Sequence, residues 1–431
     1  MDSNSSQQGQ ATTPIHVLVG GEAKQLFEQF RDPRVRLISP QDVGELEPDL
    51  VVVPCGTPLT MKLPQLDVPD RVWASAAAGR TGVIFDASAE GRVHTPQRTE
   101  VMHGFLRARG ISPAVSVYLT QERNYRADYL AHCAELGAAP PMSVVLHDYW
   151  IWRFAAQFEA KGRNILEQRL EYFRARPAMR PRRFISLNYT PRATKLLFLL
   201  SLIRDGLWDQ GFISFGGFEQ FERTTGQDMH SVRRVMQRLE GFEDLAAELA
   251  PRMDALAAYG QVMLGEVARD AETRRVKKSP FRDPKMDEFD QSWFTVITET
   301  EMRSWASRIT EKPLKPLVNF HPLVTFGNPG ALQMIRDLGF HTFGDVIDES
   351  YDLELDPRRR FEMVYREVQR LCALDEADLA RMEVAISGKL EANASWGLVD
   401  LPRARRTLND TALMDQIMAA VRRPAAVAGV D

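Results

Sequence analysis

The sequence predicts an α/β protein of two similar-sized domains followed by a helical tail. Three observations lead there. Short runs rich in Val and Ile, bounded by Gly, Pro or Asp, recur in the first third of the chain and again after residue 183. Continuous apolar runs of this kind suit parallel strands buried on both faces. Helical stretches alternate with them, and from Asp356 to the end the pattern is helical alone. The chain has 431 residues, which is long for one domain and comfortable for two.

The elements follow in order. Residues 1–13 are polar and expected to be disordered. They have no basic n-region and no apolar h-region, so no signal peptide is expected. IHVLVGG (15–21), DLVVVPCG (49–56), TGVIFDASAEG (81–91) and MSVVLHDYW (142–150) read as four strands of a first domain. EAKQLFEQF (22–30) and YRADYLAHCAEL (125–136) read as helices between them. Five arginines and two prolines in residues 174–183 suggest a solvated linker. A second set then begins with RFISLN as a strand, TKLLFLLSLIRDGLW as a buried helix and GFISFGG as a strand. WFTVITETE, PLVTFG and FGDVID supply later strands, and residues 228–270 read as a wholly helical insertion. In the tail, Phe361, Val364, Val368 and Leu371 repeat at helical spacing, as do Leu379, Met382, Ile386 and Leu390.

Two α/β domains with a helical tail match the architecture called GT-B, two Rossmann-like domains facing a central cleft. The expected limits are 14–173 for an acceptor domain, 184–355 for a donor domain and 356–431 for the terminal helices. Ligands of open α/β sheets bind beyond the carboxyl ends of the strands, so chemistry is sought in the strand-end loops.

Composition narrows the function. The net charge of −4 argues against a general basic field that would coat nucleic acid or membrane. The three cysteines are far apart and show no C-x-x-C spacing, which fits a reducing cytoplasm better than a disulfide framework or a zinc site. The longest apolar run, LLFLLSLI, has eight residues, against the roughly 20 a bilayer span needs. Contact with a membrane would therefore be peripheral. No D-x-D ends a strand with apolar flanks, no Walker A sequence occurs, and Gly20–Gly21 does not open a G-x-G-x-x-G. Neither a metal nor a dinucleotide cofactor is expected.

The stretch ITEKPLKPLVNFHPLVTFGNPG (309–330) carries the chemistry. A nucleotide-sugar donor presents a diphosphate and a ribose diol. Without a metal, the diphosphate must be neutralised by Lys, Arg and helix N-termini. A carboxylate suits the diol because it accepts two hydrogen bonds. Adjacent Glu311 and Lys312 offer both groups. Gly327 and Gly330 permit close backbone approach ahead of a helix whose N-terminus favours an anion. The plain alternative is a surface ion pair and an ordinary turn. Upstream, Asn188, Arg192 and Lys195 follow a strand where a phosphate would meet a strand-to-helix turn, and Glu299 ends another strand. In the first domain, Glu90 and then Asp86 are the candidate bases, with His147 and Asp148 behind them.

This stretch resembles the donor-binding motif of the α1,3-fucosyltransferase family, approximately Y-x-T-E-K-L…P-V-V-x-G. Thr310, Glu311, Lys312, Pro322 and Gly327 match in order, while Ile309 replaces the aromatic residue and the Lys-to-Pro segment is one residue shorter. The chain is also similar to bacterial and phage glycosyltransferase-like proteins with T-E-T, I-T-E-K, GNPG, LGF-x-TF and DESYD, found here at 298–300, 309–312, 327–330, 338–343 and 348–352. The resemblance covers about residues 180–355. It implies a metal-independent, inverting glycosyltransferase with Asn188, Arg192, Glu299, Thr310, Glu311 and Lys312 on a nucleotide-sugar donor. The acceptor would be a glycan, a protein or a modified DNA base. A non-catalytic sugar-nucleotide or glycan-binding protein on the same scaffold is the alternative, and an epimerase-like enzyme a third.

Overall fold

The computed structural model describes residues 13–20, 30–55, 66–89, 91–137, 141–188, 190–262, 264, 287–299 and 301–422. The chain divides into two compact units. One comprises residues 1–149 with 404–431, the other residues 150–403. The predicted α/β class with two parallel sheets is what the structure has.

The first unit holds β1 (Ile15–Val19), β2 (Val35–Ile38), β3 (Leu50–Pro54), β4 (Gly82–Asp86), β5 (Ser116–Thr120) and β6 (Ser143–Leu146), all parallel, in the order β2-β1-β3-β4-β5-β6. Four of these are the expected strands, each shorter by the flanking glycines and turn residues. The two unexpected ones differ in kind. β2 is a four-residue strand at the sheet edge with Arg36 and Leu37 exposed, and its Val-Arg-Leu-Ile run is short and broken by a charge. β5 is buried along its whole length, and its Val-Tyr-Leu run is as strand-like as its neighbours. The helix expected at 22–30 lies outside the described residues but for Phe30, while Tyr125–Glu135 is a helix as read.

The terminal segment belongs to this unit. The Asp410 carboxylate is buried, ion-paired to Arg405 at 3.3 Å, and accepts from the Arg31 backbone N–H at 2.7 Å. Arg34 bonds both Asp32 and, at 2.6 Å, Asp415 on the helix Ala412–Val421. The tail is thus tied to the first unit by buried charge.

The second unit holds β7 (Phe184–Asn188), β8 (Gly211–Phe215), β9 (Phe294–Thr298) and β10 (Leu323–Phe326), parallel, in the order β10-β9-β7-β8. The helix Ala193–Arg204 buries every residue from Lys195 to Leu202, which is why it reads as an all-round apolar run. Helices Met229–Gln237, Glu243–Leu249 and Met253–Ala258 send Met236, Leu249 and Leu256 into the main core of this unit. The insertion is not wholly helical. Val262 is extended and exchanges both backbone bonds with Phe215 at 2.8 Å. Most of residues 263–270 lies outside the described residues.

Two further expectations are corrected. FGDVID is a turn, not a strand. Phe343 and Ile347 are both buried, four residues apart, and the Glu349 carboxylate takes the Phe343 N–H at 2.5 Å. The apolar spacing is that of one helical turn rather than of a strand. Residues 174–183 are not a solvated linker. The Arg176 side chain is 2% exposed, and donates to Asp290 at 3.0 Å and to the carbonyls of Asn319 and Phe320 at 2.7 and 2.9 Å. Arg180 bonds Glu383 at 2.5 Å and lies over the Trp293 ring at 3.9 Å. Arg176 and Arg180 staple this segment into the second unit, while Arg174 is exposed, and the units part earlier, at Tyr149.

Close approach of two helical segments in the second unit depends on Gly162. A Cβ there would lie 1.6 Å from the Leu398 carbonyl oxygen. Gly162→Ala is therefore expected to lower unfolding free energy by about 1–3 kcal/mol or more, the cost of overpacking. Denaturant unfolding measures it, and an unchanged midpoint would show that the two segments separate freely.

Candidate functional site

The candidate site gathers at the carboxyl ends of β9 and β7, the two inner strands of the second sheet. β9 is buried throughout, and its pairing with β10 continues one residue further as the Glu299 N–H donates to the Phe326 carbonyl at 2.7 Å. That fixes Glu299 at the strand end, buried. Its carboxylate is enclosed by Thr310 and Lys312. Thr310 Oγ1 donates to Glu299 Oε1 at 2.7 Å, and Lys312 Nζ lies 2.9 Å from Glu299 Oε2 and 3.0 Å from Thr310 Oγ1. The strand end and the T-E-K segment, eleven to thirteen residues apart, thus close into one hydrogen-bonded unit.

Charge balance explains the ionisation. Burial pushes the Glu299 carboxyl up, but the Lys312 ammonium, the Thr310 hydroxyl and Lys195 outweigh it and hold it below the ordinary carboxylate range. Burial pulls Lys312 down, and Glu299 with Glu311 more than restores it. Glu311 is buried too. Burial first, and Glu299 in addition, hold its carboxyl above the ordinary range against the pull of Lys312. Lys195 enters from the first turn of the helix Ala193–Arg204 and is 5% exposed. Burial, with Lys312 and Arg192 nearby, brings it down to about 7 against the pull of Glu299 and Glu311.

The other residues singled out in the sequence divide. Arg192 sits at the N-cap of the helix Ala193–Arg204, beside Lys195. Gly327 lies against Glu299, where a Cβ would be 3.5 Å from Glu299 Cγ and 3.2 Å from Thr325 Cγ2. Asn188 ends β7, fully buried, but both ends of its amide are engaged, one by its own strand and one by β9. Its Nδ2 donates to Ser186 Oγ at 2.8 Å and its Oδ1 accepts from Thr298. It ties the sheet together under the site. Gly330 adopts φ +76° at the N-cap of Ala331–Asp337, as its turn requires. The N-terminus of that helix is not open to an anion. Asp352 already accepts from the Leu332 and Gln333 N–H groups at 2.9 and 3.2 Å, and its carbonyl from the Gly330 N–H at 2.8 Å.

Two contributors escaped the sequence reading. Asp352 stands in the DESYD motif, but its cap on a helix twenty residues earlier has no local signal. Arg360 is buried. Its guanidinium donates to the carbonyls of Gly327 at 2.9 Å, Glu354 at 2.5 Å and Met302, holding the loops after β10 and β9 to the turn before its own helix. In the sequence it is one of three successive arginines at a helix start. Glu301 is held by Arg303 at 2.5 Å and by two backbone N–H groups, separate from the Glu299 cluster.

In the first unit, Glu90 lies outside the described residues. Asp86 ends β4 and accepts from the Ser88 N–H and hydroxyl at 3.0 and 2.7 Å. Burial raises its carboxyl above the ordinary range despite those bonds. His147 and Asp148 do not form a pair. Burial lowers His147 to about 3, with Asn409 bonding its ring, while Asp148 makes a two-pronged ion pair with Arg123 at 3.0 and 3.1 Å.

Among the described residues no cluster of three or more His, Cys, Asp or Glu side chains could hold a metal ion, and no helix is long and apolar enough to cross a membrane. All three cysteines are unpaired.

No family model matches the chain, and no curated protein matches its sequence. Among solved structures it is similar to an α,α-trehalose-6-phosphate synthase from Burkholderia multivorans, at 13% identity and a TM-score of 0.38, over 88% of this chain and 74% of that one. A UDP-forming α,α-trehalose-phosphate synthase from Burkholderia xenovorans gives 13% and 0.39, over 89% and 76%. The counterpart from Burkholderia vietnamiensis gives 13% and 0.38, over 91% and 75%.

Removing Lys312 strands a buried carboxylate. Lys312→Ala is expected to cost roughly 3 kcal/mol, the lower end for breaking a buried pair, since a quarter of the Lys312 side chain reaches solvent. Adding Glu299→Gln should recover much of that loss, as read by denaturant melts of the single and double variants. Strictly additive losses would show that the two groups do not neutralise one another.

Proposed function

We propose that this protein is a GT-B glycosyltransferase that binds a nucleotide-sugar donor in its second unit and transfers the sugar to a hydroxyl acceptor. One observation carries the reading. Lys195, Glu299, Thr310, Glu311 and Lys312 come from three separate stretches and meet at the strand ends of one sheet. Glu299, Thr310, Glu311 and Lys312 are where the fucosyltransferase-like motif would put the donor, and Lys195 was singled out by its place at a strand-to-helix turn. The cations Lys195, Lys312 and Arg192 suit a diphosphate, and the Glu311 carboxylate suits the ribose diol.

In this reading a carboxylate base takes the proton of the acceptor hydroxyl as its oxygen attacks the anomeric carbon. The bond from that carbon to the diphosphate oxygen breaks, and the nucleoside diphosphate leaves with the bonding pair. Lys312, Lys195 and Arg192 stabilise the charge that grows on it. Inversion follows from a single displacement. Glu90 is the first candidate base and Asp86 the second. Burial holds the Asp86 carboxyl above the ordinary range, which makes it the more basic. Metal independence and a cytoplasmic location belong to the same proposal. So does the acceptor class, a glycan, a protein or a modified base.

Nucleoside diphosphate release from a panel of UDP-, GDP- and dTDP-sugars, with simple glycosides as acceptors, tests the reading. Turnover is expected to survive EDTA. It should fall about 10²–10⁴-fold in Glu90→Gln, or in Asp86→Asn if the base is Asp86, with nucleotide affinity unchanged. Activity lost to EDTA and restored by manganese would contradict the metal-free mechanism. Donor binding without turnover would favour a sugar-nucleotide-binding protein instead.

A further inference from the structure

Lys195 stands out within the site for what it lacks. Its side chain is more than nine-tenths buried, yet among the described residues its ammonium makes no hydrogen bond and no ion pair. The carboxylate held below the ordinary range, Glu299, is already bonded by Lys312 and Thr310. A buried charge without a partner is costly, and proteins keep such a group either by neutralising it or by supplying a ligand.

We propose that Lys195 is the open half of an anion site, unpaired in the free protein, and that it takes up a proton and pairs with the diphosphate as the donor enters. The inference rests on the donor-site reading above and deepens it. The charged groups around Lys195 are few. Arg192 lies on its own helix, Glu299 at the end of β9, and Glu311 and Lys312 on the segment after it. Glu299 is compensated, Glu311 is held toward its neutral form by burial, and Arg192 and Lys312 repel. In the free protein these surroundings leave Lys195 near half-protonated at neutral pH, at about 7. A diphosphate brings two negative charges into the same space and reverses the balance, so the bound state holds the proton firmly.

The sign follows from linkage. The bound form carries more protons than the free form, so donor affinity falls as pH rises through the Lys195 range. With the free group near 7 and the bound group well above it, affinity should drop about tenfold from pH 6 to pH 8. At pH 7 binding should take up roughly half a proton. A metal-free site with two permanent cations would show neither effect.

Isothermal titration with UDP-glucose, GDP-mannose and dTDP-glucose tests this. These are diphosphate diesters, with no phosphate proton that titrates near pH 7, unlike a free terminal phosphate with its second pKa of about 6. Enthalpies are compared in buffers of different ionisation enthalpy at pH 7, and affinities from pH 6 to pH 8. Wild type should show uptake of about half a proton and the tenfold loss. Lys195→Met should bind more weakly at pH 6, with no buffer dependence. Lys195→Arg, which stays charged, should bind without proton uptake, and it keeps the test open if the methionine variant folds poorly. Tight wild-type binding with buffer-independent enthalpy would overturn the proposal while leaving the donor site standing. Failure of all three sugars to bind would overturn the donor-site reading and the proposal with it.

Discussion

The second unit turns on the neutralisation of one carboxylate. Glu299 is carried into the interior by β9, whose every residue is buried, and an uncompensated charge there would cost several kcal/mol. The Thr310–Lys312 segment supplies the compensation, with a hydroxyl at 2.7 Å and an ammonium at 2.9 Å. This contact fixes where the loop after β9 returns and therefore where Glu311 is presented. It also leaves Lys195 outside the ion pair, so the site holds one closed pair beside one lysine that makes no hydrogen bond among the described residues.

The surrounding loops are held by similar means. Arg360 bridges three backbone carbonyls, including that of Gly327 beside Glu299. Asp352 closes the helix that begins at Ala331. Further down, Arg176 and Arg180 tie residues 174–183 to the same unit through Asp290, Glu383 and two carbonyls. Groups that could each have served as surface charges are instead buried and bonded. A site assembled from rigid strand ends and stapled loops keeps its charged groups within reach of one another without a ligand present.

Much of this was legible in the sequence, for reasons that differ by element. Strands buried on both faces announce themselves, so β1, β3, β4, β6 and all four strands of the second sheet could be read from their apolar runs. The edge strand β2 could not, because its four residues are broken by Arg36 and give no continuous apolar run. β5 carried the same signal as its neighbours and could have been found from the long gap between β4 and β6. The turn at 343–348 was misread because two apolar residues four apart look alike in a strand-rich context. At the candidate site, Glu299 could be placed at a strand end from its sequence context, while Thr310, Glu311 and Lys312 stood out through the T-E-K pattern, and the contact between the two stretches carried no sequence signal. Asn188 was placed correctly at a strand end, yet its amide is engaged by Ser186 and Thr298, a matter of side-chain direction that spacing does not encode. The GNPG turn was read as an anion site because Asp352, which occupies the helix N-terminus, lies twenty residues away. Arg360 was invisible for the same reason.

A crystal structure of the protein with a bound nucleotide sugar tests the central claim most directly. The account predicts diphosphate oxygens within hydrogen-bond distance of both Lys195 Nζ and Lys312 Nζ, and ribose hydroxyls on Glu311. It also predicts that Glu299 remains bonded to Thr310. A nucleotide bound away from the carboxyl ends of β7 and β9, with Lys195 still unpaired, would contradict it.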